Sequence, residues 1–189
     1  MKILITGASG QDGILLIDHI FQKSADVTIY ALSRSQQKFS NHLHAIGGLQ
    51  LAETFHQKGY FIICDVTDRA KVMSQLELIK PDVIFHLAAH MEPLLQPGNE
   101  SQVLSRNMNG LIHILEACDQ LQIFPHIINA GSSLMFGRVD RGIASEKTPF
   151  QPLTPYGLGK VAAHQFAHIF RTYKHQNVST AILFNHESL

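Results

Sequence analysis

Lys2-Ile3-Leu4-Ile5-Thr6-Gly7-Ala8-Ser9-Gly10-Gln11-Asp12-Gly13 is an aliphatic run that breaks into three evenly spaced glycines. Aliphatic residues without polar alternation predict a strand buried on both faces, as in a parallel sheet. Beyond the glycines, Ile14 to Phe21 carries apolar residues suited to a buried helix face. Strand, glycine turn and helix in that order bring backbone N–H groups to a helix N-terminus, where a pyrophosphate binds. The spacing Gly7-x-x-Gly10-x-x-Gly13 differs from G-x-G-x-x-G, but the physics is shared: a tight turn and a close backbone approach. Two readings fit, a dinucleotide-binding turn and a glycine-rich turn that is only structural. The position between first strand and first helix favours the former, with Gly7, Ser9, Gly10, Gln11, Asp12 and Gly13 as candidate cofactor contacts.

Outward from that stretch, apolar strands alternate with helical segments. Val27 to Leu32 predicts a second strand, and residues 40–57 a weakly patterned helical connection. Tyr60 to Cys64 predicts a third strand, followed by a helix from Arg69 to Ile79 with Asp68 as its cap. Val83 to His86 predicts a fourth strand, then a Pro/Gly-containing loop over 93–98. A long helix follows over 100–121, offering Val103, Leu104, Leu111, Ile114 and Leu115 to the core. His126 to Ala130, a Gly/Ser turn, a helix over 155–174 and a strand from Val178 to Leu183 complete the series. The fold class is α/β: a Rossmann-type doubly wound parallel sheet with helices on both faces. With no repeat, low-complexity tract or linker, residues 1–189 read as one NAD(P)-binding domain.

Composition narrows the function classes. Hydrophobic residues make up 45% and charged residues 16%, the balance of a chain with a packed core. Fifteen basic residues match fifteen acidic ones, so there is no long-range field to gather nucleic acid or an anionic membrane. Apolar runs stay short of the ~18 residues a membrane helix needs, and Met1-Lys2 does not open a signal peptide. The expectation is a soluble, cytoplasmic protein with Cys64 and Cys118 reduced and buried.

Candidate chemistry gathers at the strand ends. The second strand runs into Ser33-Arg34-Ser35 with no acid nearby to grip a ribose 2′-hydroxyl, so Arg34 favours NADP over NAD; alternatively it is a solvated loop charge. Asp65 and Val66 are placed to touch the adenine, and Leu87-Ala88-Ala89 lets the cofactor pass close to the backbone. Thr154 can cap a helix whose first residue is Pro155, which puts Tyr156 and Lys160 four residues apart on one face. A phenol ordinarily ionises near pH ~10, and an ammonium beside it favours the phenolate. Tyr156 is thus expected to exchange protons with a substrate oxygen near neutral pH. Ser132 is either a hydrogen-bond donor to that oxygen or a capping serine. His164 and His168 stand at i, i+4, but no acidic or cysteine partner is near in sequence, so no metal is assigned.

These landmarks, with Asn107 in Asn-Met-Asn-Gly, resemble the extended short-chain dehydrogenase/reductases that modify sugar nucleotides, over the whole chain. Within them the chain is most similar to the GDP-mannose 4,6-dehydratases, through Thr6–Gly13, Thr148-Pro149-Phe150-x-Pro152 to Tyr156-Gly157, and Ile182-Leu183-Phe184-Asn185-His186-Glu187-Ser188. The resemblance implies Ser132, Tyr156 and Lys160 as the catalytic set. It implies Asn107, Tyr156, Lys160 and Asn185 as cofactor contacts beside those already named. It also implies a GDP-mannose-like nucleotide sugar as substrate, lyase chemistry that eliminates water, and a homodimer built on the helices at 100–121 and 155–174. Two departures stand out. Alignment on Gly137 puts Leu134 where the dehydratases carry a proton-abstracting glutamate, and the chain ends where a C-terminal substrate lobe would begin. Those departures leave open a cofactor-binding remnant without turnover, and a 4-keto-sugar reductase or epimerase.

Overall fold

The protein is seen here as a computed structural model that describes residues 1–24, 26–90, 98–139 and 143–186. Among them, strands and helices alternate: β1 (Lys2–Thr6), α1 (Gln11–Lys23), β2 (Thr28–Ser33), α2 (Gln36–Lys58), β3 (Gly59–Ile63) and α3 (Arg69–Ile79) come first. Then follow β4 (Val83–His86), α4 (Glu100–Leu121), β5 (His126–Ser132), a single 3-10 turn (Ser133–Met135), α5 (Pro155–Tyr173) and β6 (Val178–Leu183). All strand pairs are parallel, in the order β3-β2-β1-β4-β5-β6. The order reverses between β1 and β4, and a crevice opens at such a switch point. This is the expected doubly wound α/β sheet. Most of the expected loop at 93–98, and the expected motif residues Glu187 and Ser188, lie outside the described residues.

Each strand presents alternate side chains to two separate cores. Ile3, Ile5, Ile29 and Ala31 pack with Ile14 and Ile17 of α1 and Phe39, Leu43 and Phe55 of α2. On the other face Leu4, Leu32, Ile84 and Ile127 meet Val72, Leu76, Leu111, Ile114, Leu115 and Ala163 of α3, α4 and α5. Of the core residues expected in α4, Leu111, Ile114 and Leu115 are fully buried, while Val103 and Leu104 are only half-buried. α4 and α5 lie close at Gly159, where a β-carbon would stand 2.8 Å from the Leu104 carbonyl oxygen. No helix among the described residues is long and apolar enough to cross a membrane.

Local chemistry explains where the elements begin. Asp68 accepts from the Lys71 amide and caps α3, as expected. Thr154 accepts from the Gly157 amide at 3.0 Å, with Pro155 in the first helical position of α5. Beyond one-residue shifts in β2, β3 and the end of α5, three elements differ from expectation. α1 starts at Gln11 rather than Ile14, because extended Gly10 is its N-cap and Asp12 and Gly13 already belong to the first turn. α2 covers 36–58 rather than 40–57, capped by Ser35 and kinked at Gly48 (φ 67°, ψ −174°). The kink resets the helical phase between Phe39/Leu43 and Leu51/Phe55, so one continuous periodicity cannot describe the segment. β5 runs on to Ser132 because Gly131 and Ser132 still pair with Ile182 and Leu183 of β6.

Gly13 is fixed by packing. A β-carbon there would lie 2.7 Å from both the Cα and the carbonyl oxygen of Ala8, and backbone cannot swing aside as a side-chain tip can. Gly13→Ala is therefore expected to lower the unfolding free energy by about 2–3 kcal/mol. Urea unfolding checks it: the midpoint falls with an unchanged slope, and a wild-type midpoint refutes the contact.

Candidate functional site

The crevice between β1 and β4 opens into a cleft of about 530 Å³. Gly7 forms its floor with φ +71°, and a β-carbon there would stand 2.6 Å from the Ala88 nitrogen. The Gly10 amide donates to the Gly7 carbonyl at 2.9 Å and closes the turn. Around it stand Ser9, the end of β2 with Arg34, the loop Asp65–Thr67, and the segment Leu87–Ala89. Of the expected cofactor contacts, the structure thus gathers Gly7, Ser9, Gly10, Arg34, Asp65, Val66, Leu87, Ala88 and Ala89 in one cleft. Side-chain hydrogen bonds stiffen its walls: Ser9 Oγ meets Ser33 Oγ at 2.7 Å, and His42 Nδ1 donates to the Ser9 carbonyl at 2.8 Å.

Cations outnumber carboxylates along this cleft. Among the described residues, Arg34, Lys38 and Arg106 line it against a single acid, Asp65. Burial alone would raise the Asp65 carboxyl. Hydrogen bonds from the Thr67 amide (2.9 Å) and hydroxyl (2.8 Å) to Oδ1, with the guanidiniums of Arg34 and Arg106, instead hold it below its ordinary range. Cys64 also lines the cleft; its Sγ–H donates to the Asp65 carbonyl at 3.4 Å, and burial, aided by Asp68, pushes the thiol to about 11.

Ser132, Tyr156 and Lys160 meet where β5 ends against α5. Lys160 is 2% exposed; its Nζ donates to the Ala130 carbonyl at 2.8 Å and lies 5.7 Å from the Tyr156 ring centroid. Burial brings this ammonium down from 10.5 to about 8. The phenol corrects the sequence expectation. Burial raises Tyr156 above its ordinary value, and the Ser132 hydroxyl offsets this only in part. The nearby ammonium does not prevail, because desolvation of the phenolate is the larger effect. Ser132 caps as well: its Oγ accepts from the Leu134 amide at 3.2 Å.

The remaining expected contacts sit around these two clusters. Gln11 is exposed at the start of α1, while Gly13 faces Ala8 rather than the cleft. Asp12 accepts from His186 Nε2 at 3.0 Å, which brings α1 to the segment after β6, beside exposed Asn185. Asn107 is buried and clamps the cleft from behind: its amide oxygen accepts from the His90 N–H, and its Nδ2 donates to the His90 and Val103 carbonyls. His164 Nδ1 is buried without a hydrogen-bond partner among the described residues, its ring edge-on to Phe150. No cluster of three His, Cys, Asp or Glu residues gathers among the described residues.

Sequence reasoning missed Lys38, His42, Thr67, His90 and Arg106. Lys38 had a signal, four residues after Arg34 and one turn past a capping Ser35; His42 and Arg106 had none. It also missed a polar row across the sheet on the α4 side, in which Thr6, His86, Asn129 and Thr180 occupy paired positions on four strands. Thr6 Oγ1 accepts from the Ala88 amide at 3.3 Å and shares a hydrogen bond with His86 Nδ1 at 2.8 Å. Burial, aided by the Lys160 charge, takes His86 down to about 3.

Comparison with known proteins agrees with this architecture. A family model described as GDP-mannose 4,6 dehydratase matches residues 4–189. GDP-mannose 4,6 dehydratase 2 of Arabidopsis thaliana is 31% identical over 201 residues, covering 98% of this chain and 50% of its own. GDP-mannose 4,6-dehydratase of Vibrio cholerae is 27% identical, covering 99% and 50%. The chain spans about half the length of the curated relatives it matches. Among solved structures, the UDP-Glc/GlcNAc 4-epimerase from Campylobacter jejuni superposes with a TM-score of 0.81 at 23% identity, over 97% of this chain and 52% of that one. DesIV, a dTDP-glucose 4,6-dehydratase from Streptomyces venezuelae solved with NAD and TYD, gives 0.77 at 19%, over 95% and 54%. At these identities the structural likeness speaks for the fold.

The buried imidazole gives the site a stability signature. His86 titrates at about 3 in the folded chain and near ~6.5 unfolded, so the unfolded state takes the proton first as pH falls. Its contribution is complete above pH ~6.5 and is lost at about 1.4 kcal/mol per pH unit below that. Urea midpoints at pH 7 and pH 5 are expected to differ less for His86→Asn than for wild type; equal differences refute the assignment.

Proposed function

The chain belongs to the GDP-mannose 4,6 dehydratase family, and from that premise we propose that it is the nicotinamide-binding part of a nucleotide-sugar-modifying enzyme. In this reading residues 1–189 form one NAD(P)-binding domain. The reaction is hydride transfer at carbon 4 of a GDP-mannose-like sugar. The observation that carries it is the buried Lys160 ammonium beneath the Tyr156 phenol, with Ser132 alongside, next to a cation-rich cleft floored by a glycine turn.

The residues fit a dinucleotide. The Gly7–Gly10 backbone and the α1 N-terminus suit a pyrophosphate. Arg34 and Lys38, with the Ser9 and Ser33 hydroxyls, suit a 2′-phosphate and favour NADP over NAD. Asp65 and Val66 suit the adenine. When bound, the cofactor would supply the hydride acceptor. The chain's own work is proton handling: the Tyr156 phenol exchanges a proton with the sugar hydroxyl, Lys160 offsets the charge of the phenolate, and Ser132 donates a hydrogen bond to the same oxygen. A raised phenol pKa keeps Tyr156 protonated in the free chain, ready to donate to a carbonyl oxygen; oxidation of the hydroxyl needs the phenolate, which takes that proton as the hydride leaves carbon 4. An α4–α5 homodimer is part of the same reading, supported by exposed Leu158 and Ile169 on α5.

One observation favours a second reading. Leu134 is 38% exposed beside Ser132, at the position where the resemblance puts a proton-abstracting base, and an alkyl side chain accepts no proton. The chemistry then stops at oxidation or reduction of carbon 4, without loss of water.

Titration by nicotinamide fluorescence should give NADPH binding about tenfold or more tighter than NADH, with Arg34→Ala erasing the difference. Absence of NADPH binding overturns the reading of the glycine turn. With NADP and GDP-mannose, a 4-keto-6-deoxy product supports the dehydratase, and a 4-keto product alone supports the second reading. Cofactor binding without turnover instead marks a cofactor-binding remnant. Tyr156→Phe is expected still to bind NADPH and to lower any hydride exchange by about 100-fold or more.

A further inference from the structure

Arg106 is the cleft's third cation, and its surroundings distinguish it from the other two. Arg34 and Lys38 come from the end of β2 and the start of α2 and are exposed; Arg106 comes from α4 on the opposite wall and is half-buried. Arg106, Gly110 and His113 fall at i, i+4 and i+7, on one face of that helix. The lower two positions hold the loop after β3. Val66 packs so closely on Gly110 that a β-carbon there would lie 2.9 Å from its Cγ2, and His113 Nδ1 donates to the Val66 carbonyl at 3.1 Å. Arg106 continues this face past Val66 into the cleft beside Asp65, whose carboxyl its charge helps to lower.

The guanidinium is also held from behind. A guanidinium has no acceptor, so His90 Nε2 accepts from Arg106 Nη1, at 3.1 Å. The next residue of α4, Asn107, grips the His90 backbone through both its N–H and its carbonyl. Adjacent side chains of one helix therefore fix His90, and His90 fixes the guanidinium. Asp65, which lines the same cleft, accepts twice from Thr67 through Oδ1, so Oδ2 is the oxygen left to take an exocyclic amine.

We propose that Arg106, braced by His90, is an adenine-binding residue: its planar guanidinium stacks on the face of the base whose amino edge Asp65 accepts. This rests on the dinucleotide reading above. A plane rather than a point charge is what stacks on an aromatic face, so lysine is no substitute. The bracing fixes the guanidinium before the ligand arrives, which removes part of the ordering cost of binding.

The test titrates the full chain with NADPH and with reduced nicotinamide mononucleotide, which lacks the adenosine half, following nicotinamide fluorescence. Arg106→Met is expected to weaken NADPH binding about tenfold and to leave the mononucleotide unchanged. Arg106→Lys should recover little of the loss, and His90→Phe should lose part of it. Thermal melts matching wild type show the variants to be folded. Wild-type NADPH affinity in Arg106→Met overturns the proposal. Full recovery in Arg106→Lys also does so, as it indicates a phosphate contact, and so does equal weakening of the mononucleotide. A wild-type chain that takes up no NADPH refutes the dinucleotide reading itself, an outcome distinct from these.

Discussion

Between the ends of β1 and β4 there is no room for one carbon atom. A β-carbon on residue 7 would press on the Ala88 nitrogen, Cα and the Leu87 carbonyl carbon at once. The neighbouring Thr6 fixes the same junction chemically, by accepting from the Ala88 amide and hydrogen-bonding to His86 Nδ1. Much follows from this one approach. It sets the floor of the cleft, aims Leu87–Ala89 along its wall, and hands the chain to His90, where Asn107 of α4 takes hold. The α4 face that begins there carries the β3–α3 loop on Gly110 and His113. A sheet that reverses its strand order must part at the reversal, and here the parting is held to backbone contact distance.

Much of the fold is legible because its signals are local. β1, β4, β6 and α3 begin and end at the expected residues, where an aliphatic run or a capping Asp68 meets a breaker. Departures arise where a distant contact overrides the local pattern. Gly131 reads as a turn residue, yet β6 lies alongside and extends the ladder through it. The kink at Gly48 divides α2 into two short amphipathic pieces, so its apolar residues look unpatterned when read as one helix.

The candidate site divides the same way. Glycines at a strand end, Arg34 after β2 and Asp65 after β3 are readable, because topology alone brings the C-terminal ends of parallel strands together. Lys38, His42 and Arg106 arrive from helix faces whose rotation no strand end reveals. Asn107 is legible as a residue worth singling out, but its amide is engaged by the backbone of His90 and Val103, so it shapes the cleft from outside. Tyr156 teaches a different lesson. Spacing puts an ammonium near the phenol, but burial sets the direction of the phenol's shift. The same low-dielectric surroundings that would strengthen the attraction also raise the cost of the phenolate.

Cys64 has a consequence for redox chemistry. Its thiol borders the cleft proposed to hold a hydride carrier, yet with a pKa of about 11 it is ionised in only about one molecule in ten thousand at neutral pH. Cys118, on the buried face of α4 and pushed up to about 12, is more inert still. Peroxide and disulfide exchange act on the thiolate, so neither sulfur competes for oxidising equivalents near that cleft. The sulfur at the wall of the cleft is chemically silent, and two-electron traffic there is left to whatever the cleft binds.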